Sequence, residues 1–177
     1  MDTPEVLAWR DGFIEALDQT ALPHQVRVLR IDTVDSLVAA IRRLAVRGAP
    51  VLGAAGALGV ALAVRQGERE GWDEARLAAE IQRIAAARPT AVNLGREVFA
   101  VAARLPAGSA AVEAAALGVV SRSAEVSRRI SERAQYAFSE RMRANGVWAM
   151  MYLRYIACSE SSSFKGQGIS RCHCSSV

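Results

Sequence analysis

The sequence is short of the residues that most often announce a function. It has one lysine (Lys165), two histidines and three cysteines, and aromatic residues make up 6%. The cysteines Cys158, Cys172 and Cys174 all lie late in the chain, so they build no disulfide framework across it and no paired zinc motif. Neither G-x-x-x-x-G-K-[ST] nor G-x-G-x-x-G occurs, which excludes the common nucleotide phosphate loops. There is no run of Lys or Arg and no aromatic platform. The formal charge of +4, with a pI near 9.4, is instead interleaved with Glu. That pattern predicts a solvated surface and no nucleic-acid partner. No charged segment followed by an apolar stretch opens the chain, so a signal peptide is not expected and a cytoplasmic location is.

What is present is apolar and small. With 177 residues and 51% hydrophobic content, one domain, or one and a fraction, can bury a sizeable core. The composition changes along the chain: every tyrosine and cysteine and the lysine follow residue 134, while the last aspartate is Asp73.

The stretch from Ala45 to Val64 organises the rest. Arg47-Gly48-Ala49-Pro50 breaks the preceding helical pattern, since Gly48 accepts backbone angles that other residues avoid and Pro50 suits a first helical position. A helix is therefore expected to start near Pro50. Its first turn carries free N–H groups and the positive end of a dipole, and Arg47 adds a fixed cation beside them. This outlines an anion site, with a plain surface arginine as the alternative. Within the helix Ala49, Gly53, Ala57 and Ala61 recur every four residues, with Gly56 and Gly59 alongside. Glycine costs roughly 1 kcal/mol against alanine in a helix, so this ridge implies close packing. A membrane span needs about 20 apolar residues, and Arg47 and Arg65 bracket fewer, so a buried soluble helix is expected.

Upstream, Val6 to Arg10, Phe13 to Leu17 and Gln25 to Ile31 are short, β-branched or aromatic segments. They are separated by Asp11-Gly12 and Asp18-Gln19-Thr20, which predicts a small antiparallel sheet. His24 follows the Leu22-Pro23 bend and reads as a loop histidine, with a catalytic group as the alternative. Thr33 caps a helix with Val34, Leu37, Val38, Ile41 and Leu44 inward. Gly67 to Gly71 is expected to be a charged turn, and Asp73 to cap a third helix with Leu77, Ile81 and Ile84 inward.

The octet Ala87-Arg88-Pro89-Thr90-Ala91-Val92-Asn93-Leu94 repeats the logic of the first junction. Pro89 ends one helix, Thr90 or Pro89 starts the next, and Arg88 again stands at a helix start. Asn93 falls in the first turn, as a cap or a ligand contact. The two junctions are expected to converge on one anion, better a phosphate than a carboxylate. From Ser109 a long connector helix runs through Val112, Ala116, Val120, Ile130 and Phe138, with Glu125 and Arg129 spaced as an i,i+4 pair. Gly146 ends it, Val147 to Ile156 reads as a strand, and the polar segment from Ser159 is expected to be disordered. Cys172-His173-Cys174 lacks a fourth ligand, so no metal is expected there.

Three of these segments together resemble a known family. Asp18-Gln19-Thr20-Ala21-Leu22-Pro23, Val46-Arg47-Gly48-Ala49-Pro50-Val51-Leu52-Gly53 and Ala87-Arg88-Pro89-Thr90-Ala91-Val92-Asn93-Leu94 look like the N-terminal signatures of methylthioribose-1-phosphate isomerase, in the same order and spacing. Ribose-1,5-bisphosphate isomerases and the regulatory subunits of eukaryotic initiation factor 2B belong to the same wider family. The resemblance covers roughly residues 6 to 134. It implies a mainly α protein with a small N-terminal antiparallel sheet (α+β), acting in methionine salvage to convert S-methyl-5-thio-α-D-ribose 1-phosphate into S-methyl-5-thio-D-ribulose 1-phosphate. It implies a sugar-phosphate partner bound by Arg47, Gly48, Ala49 and Arg88, no cofactor, no membrane or nucleic acid, and a possible homodimer.

The departure from the family is at the C-terminal end. The family's cysteine loop and later aspartate have no counterpart here, since Met150-Met151-Tyr152-Leu153-Arg154 stands where the cysteine is expected. Residues 1–145 are thus expected to form the sheet, helical domain and connector, and 146–177 a truncated or divergent remnant of a Rossmann-like domain. The chain alone is expected to be inactive, with no catalytic residue assigned. The alternative is a non-catalytic binding or assembly module like the initiation factor's regulatory subunits.

Overall fold

The computed structural model describes residues 5–144, with side chains through residue 136. Three strands, β1 (Leu7–Arg10), β2 (Phe13–Leu17) and β3 (Val28–Ile31), form an antiparallel meander in the order β1-β2-β3. Asp11 and Gly12, with φ of 43° and 95°, make the two-residue turn that right-twisted hairpins favour. Ile14 pairs with Ile31 and Leu7 with Ala16, so Ile14, Ala16 and Ile31 lie on the core face together with the half-buried Leu7, Trp9 and Leu29. The third strand is shorter than the expected Gln25 to Ile31, because residues 25 to 27 remain in the loop.

Thr33 starts α1 (Val34–Arg42) with a reciprocal cap: its hydroxyl accepts from Ser36 N, and Ser36 Oγ accepts from Thr33 N. Val34, Leu37, Val38 and Ile41 are buried as the spacing predicts, but Leu44 is not. The helix ends at Arg42, Leu44 takes φ 64° and is exposed, and Ala45 and Val46 fill the core in its place. Both Ala45 N and Val46 N donate to Ala40 O, which fixes this exit from the helix.

The centre of the fold is α2 (Ala49–Glu70), which packs against α1, α3, α4 and the first two strands. By length and composition alone it could cross a membrane, yet 78% of its most apolar window is buried inside the protein. Its glycines mark close approaches. A Cβ on Gly56 would stand 2.8 Å from Leu94 Cδ1 and from Val98 Cγ2, and one on Gly59 would stand 2.6 Å from Leu37 Cδ2. The expected turn over Gly67 to Gly71 is instead helical through Glu70, with Gly71 at φ 69° as the left-handed cap. Gly67 is small because the Trp72 ring folds back over it, while the Trp72 backbone N–H donates to Gly67 O. Gln66, nearly buried on α2, accepts from Val34 N at 2.8 Å and so satisfies a free donor at the head of α1.

Asp73 caps α3 (Glu74–Ala85), which buries Ile81 and Ile84 and half-buries Leu77, and α4 (Val92–Ala102) buries Leu94, Val98 and Val101. After a short turn of 3-10 helix at Leu105–Ala107, α5 runs from Ser109 to Ala144. Val112, Ala116 and Val119 belong to the core, whereas Ile130, further along the same helix, is exposed. Glu125 pairs with Arg128 rather than Arg129, at 2.8 Å. The chain divides into two compact units, residues 1–128 and 129–177. In the second, α5 continues to Ala144, and the side chains of residues 129–136 are exposed. The expected strand at 147–156, the polar segment from Ser159, the Cys172-His173-Cys174 motif and the remnant 146–177 lie outside the described residues, as does the side chain of Phe138.

Candidate functional site

The site forms where α2 and α4 begin side by side. At the first junction Gly48 is the N-cap of α2, with φ 96° and ψ 133°, a region essentially closed to other residues. Ala49 and Pro50 follow as the first helical residues, and Leu52 N closes the first turn on Gly48 O at 2.8 Å. The cap offers no side-chain acceptor, so the N–H groups of this turn stay available at the positive end of the helix dipole.

The second junction is built differently from its expected form. Ala91 N donates to Arg88 O at 2.9 Å, so residues 88–91 form a β-turn with Pro89 in its favoured second position. The helix therefore begins at Val92, not at Pro89 or Thr90, and Arg88 stands before the turn rather than at the helix start. Asn93 does not cap its own helix. Its Nδ2 donates to Ala49 O at 3.3 Å and ties the first turn of α4 to that of α2. Gly53 makes room for this, since a Cβ there would lie 3.2 Å from Glu97 Cγ and 3.5 Å from Asn93 Cβ.

Between the two starts lies a cavity of about 360 Å³, lined by Gly48, Ala49, Arg88, Thr90 and Asn93 with apolar Leu52 and Val92. That volume is at the lower end of the range for small-molecule sites. Arg88 is half-buried there and makes no ion pair among the described residues. Arg47 is exposed, also without an ion pair among the described residues, and does not line the cavity. Of the four predicted binding residues, the fold thus gathers Gly48, Ala49 and Arg88 around one recess and leaves Arg47 at its edge in sequence only. His24 is exposed in the loop between β2 and β3 and is not among the lining residues. No cluster of three or more His, Cys, Asp or Glu occurs among the described residues.

The Asp18-Gln19-Thr20 turn, part of the first family-like segment, also reaches the first junction, a contact not expected from the sequence. Asp18 is 1% exposed; its Oδ1 accepts from Thr20 N and Thr20 Oγ1, and its Oδ2 accepts from Arg43 Nη1 at 3.1 Å. The Thr20 hydroxyl bond, helped by the Thr20 N–H and Arg43, holds the Asp18 carboxyl below the usual carboxylate range against the opposing effect of burial. Next to it, Gln19 N donates to Ala45 O and Gln19 Nε2 to Arg47 O, at 3.0 and 3.1 Å. A carboxylate followed by an amide and a hydroxyl is the only hint the sequence offers of this clamp.

No family model matches the chain. Similarity to individual proteins is extensive. A probable bifunctional methylthioribose-1-phosphate isomerase/methylthioribulose-1-phosphate dehydratase from Nocardia farcinica is 46% identical over 129 residues, which cover 72% of this chain and 23% of that protein. This chain is a relative of the methylthioribose-1-phosphate isomerases. It spans about a quarter of that isomerase's length. Among solved structures, a translation initiation factor eIF-2B, subunit delta, from A. fulgidus matches with a TM-score of 0.57 and 38% identity, over 70% of this chain and 37% of its own. A 5-methylthioribose 1-phosphate isomerase from Pyrococcus horikoshii shares the fold with a TM-score of 0.53 and 21% identity, over 72% and 36% of the two chains. The mainly α fold with a small antiparallel sheet is thus that of the isomerase family's N-terminal region.

Proposed function

We propose that this chain forms the substrate-holding part of a methylthioribose-1-phosphate isomerase, with Gly48, Ala49 and Arg88 binding the phosphate of S-methyl-5-thio-α-D-ribose 1-phosphate and Arg47 attracting it at longer range. The observation that carries the reading is Arg88, a half-buried arginine on a cavity wall with no counter-ion among the described residues. A cation withdrawn from water is stabilised when an anion completes its hydrogen bonds, and a phosphate offers the acceptors for a planar fork. Gly48 and Ala49 at the head of α2 line the same recess, and the free N–H groups of that turn favour the same charge. Arg47 adds long-range attraction from the edge.

Aldose–ketose isomerisation moves hydrogen between adjacent carbons and needs a positioned acid and base. Neither a carboxylate, an imidazole nor a thiol lies among the residues lining this cavity. The proposed role of this region is therefore to hold and orient, with proton movement supplied from groups outside it. This is the basis for expecting binding without turnover from these residues alone; the absence of a cofactor, the cytoplasmic location and the homodimer are proposed from the family resemblance only. The likeness to the initiation factor subunit favours one other reading, an assembly module that keeps the recess but not the chemistry.

The test is calorimetry with S-methyl-5-thio-α-D-ribose 1-phosphate beside an assay for the ketose. Arg88→Ala is expected to weaken binding by about 1.5 to 3 kcal/mol, the scale of a charge-assisted hydrogen bond. No binding by the unmodified chain would favour the assembly reading, and turnover close to that of a full-length isomerase would overturn the holding role.

A further inference from the structure

The phosphate reading leaves one question open at the first junction: what keeps the Arg47–Gly48 peptide turned so that its N–H serves the cavity. Gly48 has no Cβ, no neighbour within 4 Å of where one would stand, and no side-chain cap, so nothing at the position itself fixes the peptide plane. The restraint comes from the end of β2. Gln19 N donates to Ala45 O, Gln19 Nε2 donates to Arg47 O at 3.1 Å, and Asp18 holds Arg43 through its buried carboxylate. Three consecutive anchors thus grip alternate residues 43, 45 and 47 of the segment that leads into α2.

A trans peptide carries its C=O and N–H on opposite sides. Fixing the Arg47 carbonyl toward Gln19 therefore points the Gly48 N–H away from Gln19, and Gly48 lines the cavity. We propose that Gln19 is a positioning residue for the anion site, acting through the Arg47 carbonyl to aim the Gly48 N–H at the bound phosphate. This rests on the sugar-phosphate reading above. Gln19 itself touches no ligand in this account, and it is not among the residues lining the cavity. Asp18 and Thr20 serve it from behind: the Thr20 N–H and hydroxyl both bond Asp18 Oδ1, leaving Oδ2 for Arg43 and holding the backbone on either side of Gln19.

The experiment is a titration of the full chain with α-D-ribose 1-phosphate, by calorimetry and by following the Gly48 backbone amide resonance in nitrogen-15-labelled protein. Wild type, Gln19→Met, Gln19→Glu and Arg88→Ala are compared. Gln19→Met keeps the side chain's length and removes its donor, and Gln19→Glu replaces the donor with an acceptor that repels the carbonyl. Loss of one neutral hydrogen bond corresponds to about a three- to tenfold weaker affinity for Gln19→Met, and a greater loss is expected for Gln19→Glu. The ligand-induced shift of the Gly48 amide should disappear in both Gln19 variants while that of Asn93 persists. A merely structural role would lower the unfolding midpoint and leave the affinity of the folded protein and the Gly48 shift as in wild type, and that result overturns the proposal. Should Gln19→Met fail to fold, the same two readouts on Gln19→Glu decide. If wild type itself does not bind, the sugar-phosphate reading fails first and takes this inference with it; if wild type binds and Arg88→Ala does not, only the Gln19 result bears on the inference.

Discussion

At the first helix start, Arg47-Gly48-Ala49-Pro50 passes from loop to helix within one residue, through a glycine at φ 96°. At the second, Arg88-Pro89-Thr90-Ala91 makes a full β-turn before α4 begins, and the capping residue Ala91 sits at an ordinary φ of −90°. Each stretch pairs an arginine with a proline near a helix, and the order of the two decides the outcome. With Gly between Arg and the helix, the change from loop to helix takes one residue, and Arg47 is not among the residues lining the cavity. With Pro directly after Arg, the turn carries Arg88 back over the recess. The first junction supplies backbone donors, the second a side chain, and Asn93 bonds them together through Ala49 O.

Breaking the comparison altogether requires separating the two starts, and the largest effect is expected from Gly56→Val. The Cβ alone would stand 2.8 Å from both Leu94 Cδ1 and Val98 Cγ2 and 3.1 Å from the Leu94 carbonyl oxygen, which is backbone and cannot swing away. Two further methyl groups enlarge the clash. Overpacking of this kind costs about 3 kcal/mol, to be read as a lower urea midpoint of unfolding. Sugar-phosphate affinity should fall with it, because α4 carries Asn93 and follows Arg88. An unchanged midpoint would mean that α4 is not seated on Gly56.

A smaller effect, confined to the first start, is expected from Gly48→Ala. No atom lies within 4 Å of the added Cβ, so packing contributes nothing and the cost is backbone conformation alone. Residues other than glycine pay about 2 kcal/mol in such a region. The unfolding midpoint should fall accordingly, while Arg88 and its turn stay as they are. A loss below about 0.5 kcal/mol, the usual scatter of neutral surface changes, would mean that the junction relaxes to a negative φ and that the clamp from Gln19 does not fix it.

These two glycines also mark what the sequence could and could not disclose. The ridge in α2 announced close packing, and Gly56 and Gly59 lie under Leu94 and Leu37, because glycine inside a helix is costly enough to imply a reason. The antiparallel sheet, the Thr33 and Asp73 caps and most of the buried faces of α1 and α3 followed from local spacing and capping chemistry. Elements set by tertiary partners did not. Leu44 keeps helical spacing yet leaves the helix, since Ala45 and Val46 reach the core first. Gly67 reads as a turn residue yet stays helical under Trp72. At the site, the convergence of Gly48, Ala49 and Arg88 was legible from the two junctions, whereas the clamp from Asp18 and Gln19 was not, because its partners lie 25 to 28 residues away in sequence.

The smallest effect is expected at the counterpart of Gly48 in the second junction, and it sharpens the contrast by being nearly silent. Ala91 caps α4 without a side-chain bond, at φ −90° and ψ 80°, near the inverse γ-turn geometry that L residues commonly adopt. Ala91→Gly therefore relieves nothing and clashes with nothing. Two opposing terms remain: glycine loses more chain freedom on folding, costing about 0.5 to 1 kcal/mol, while glycine is preferred over alanine at a helix N-cap by a comparable amount. Their sum should leave the urea midpoint within about 0.5 kcal/mol of wild type and the sugar-phosphate affinity unchanged, since the Arg88 side chain is held by the turn through Ala91 N, which glycine retains. A loss as large as that of Gly48→Ala would mean that the second turn is strained after all, and that the two junctions differ only in which residue carries the strain.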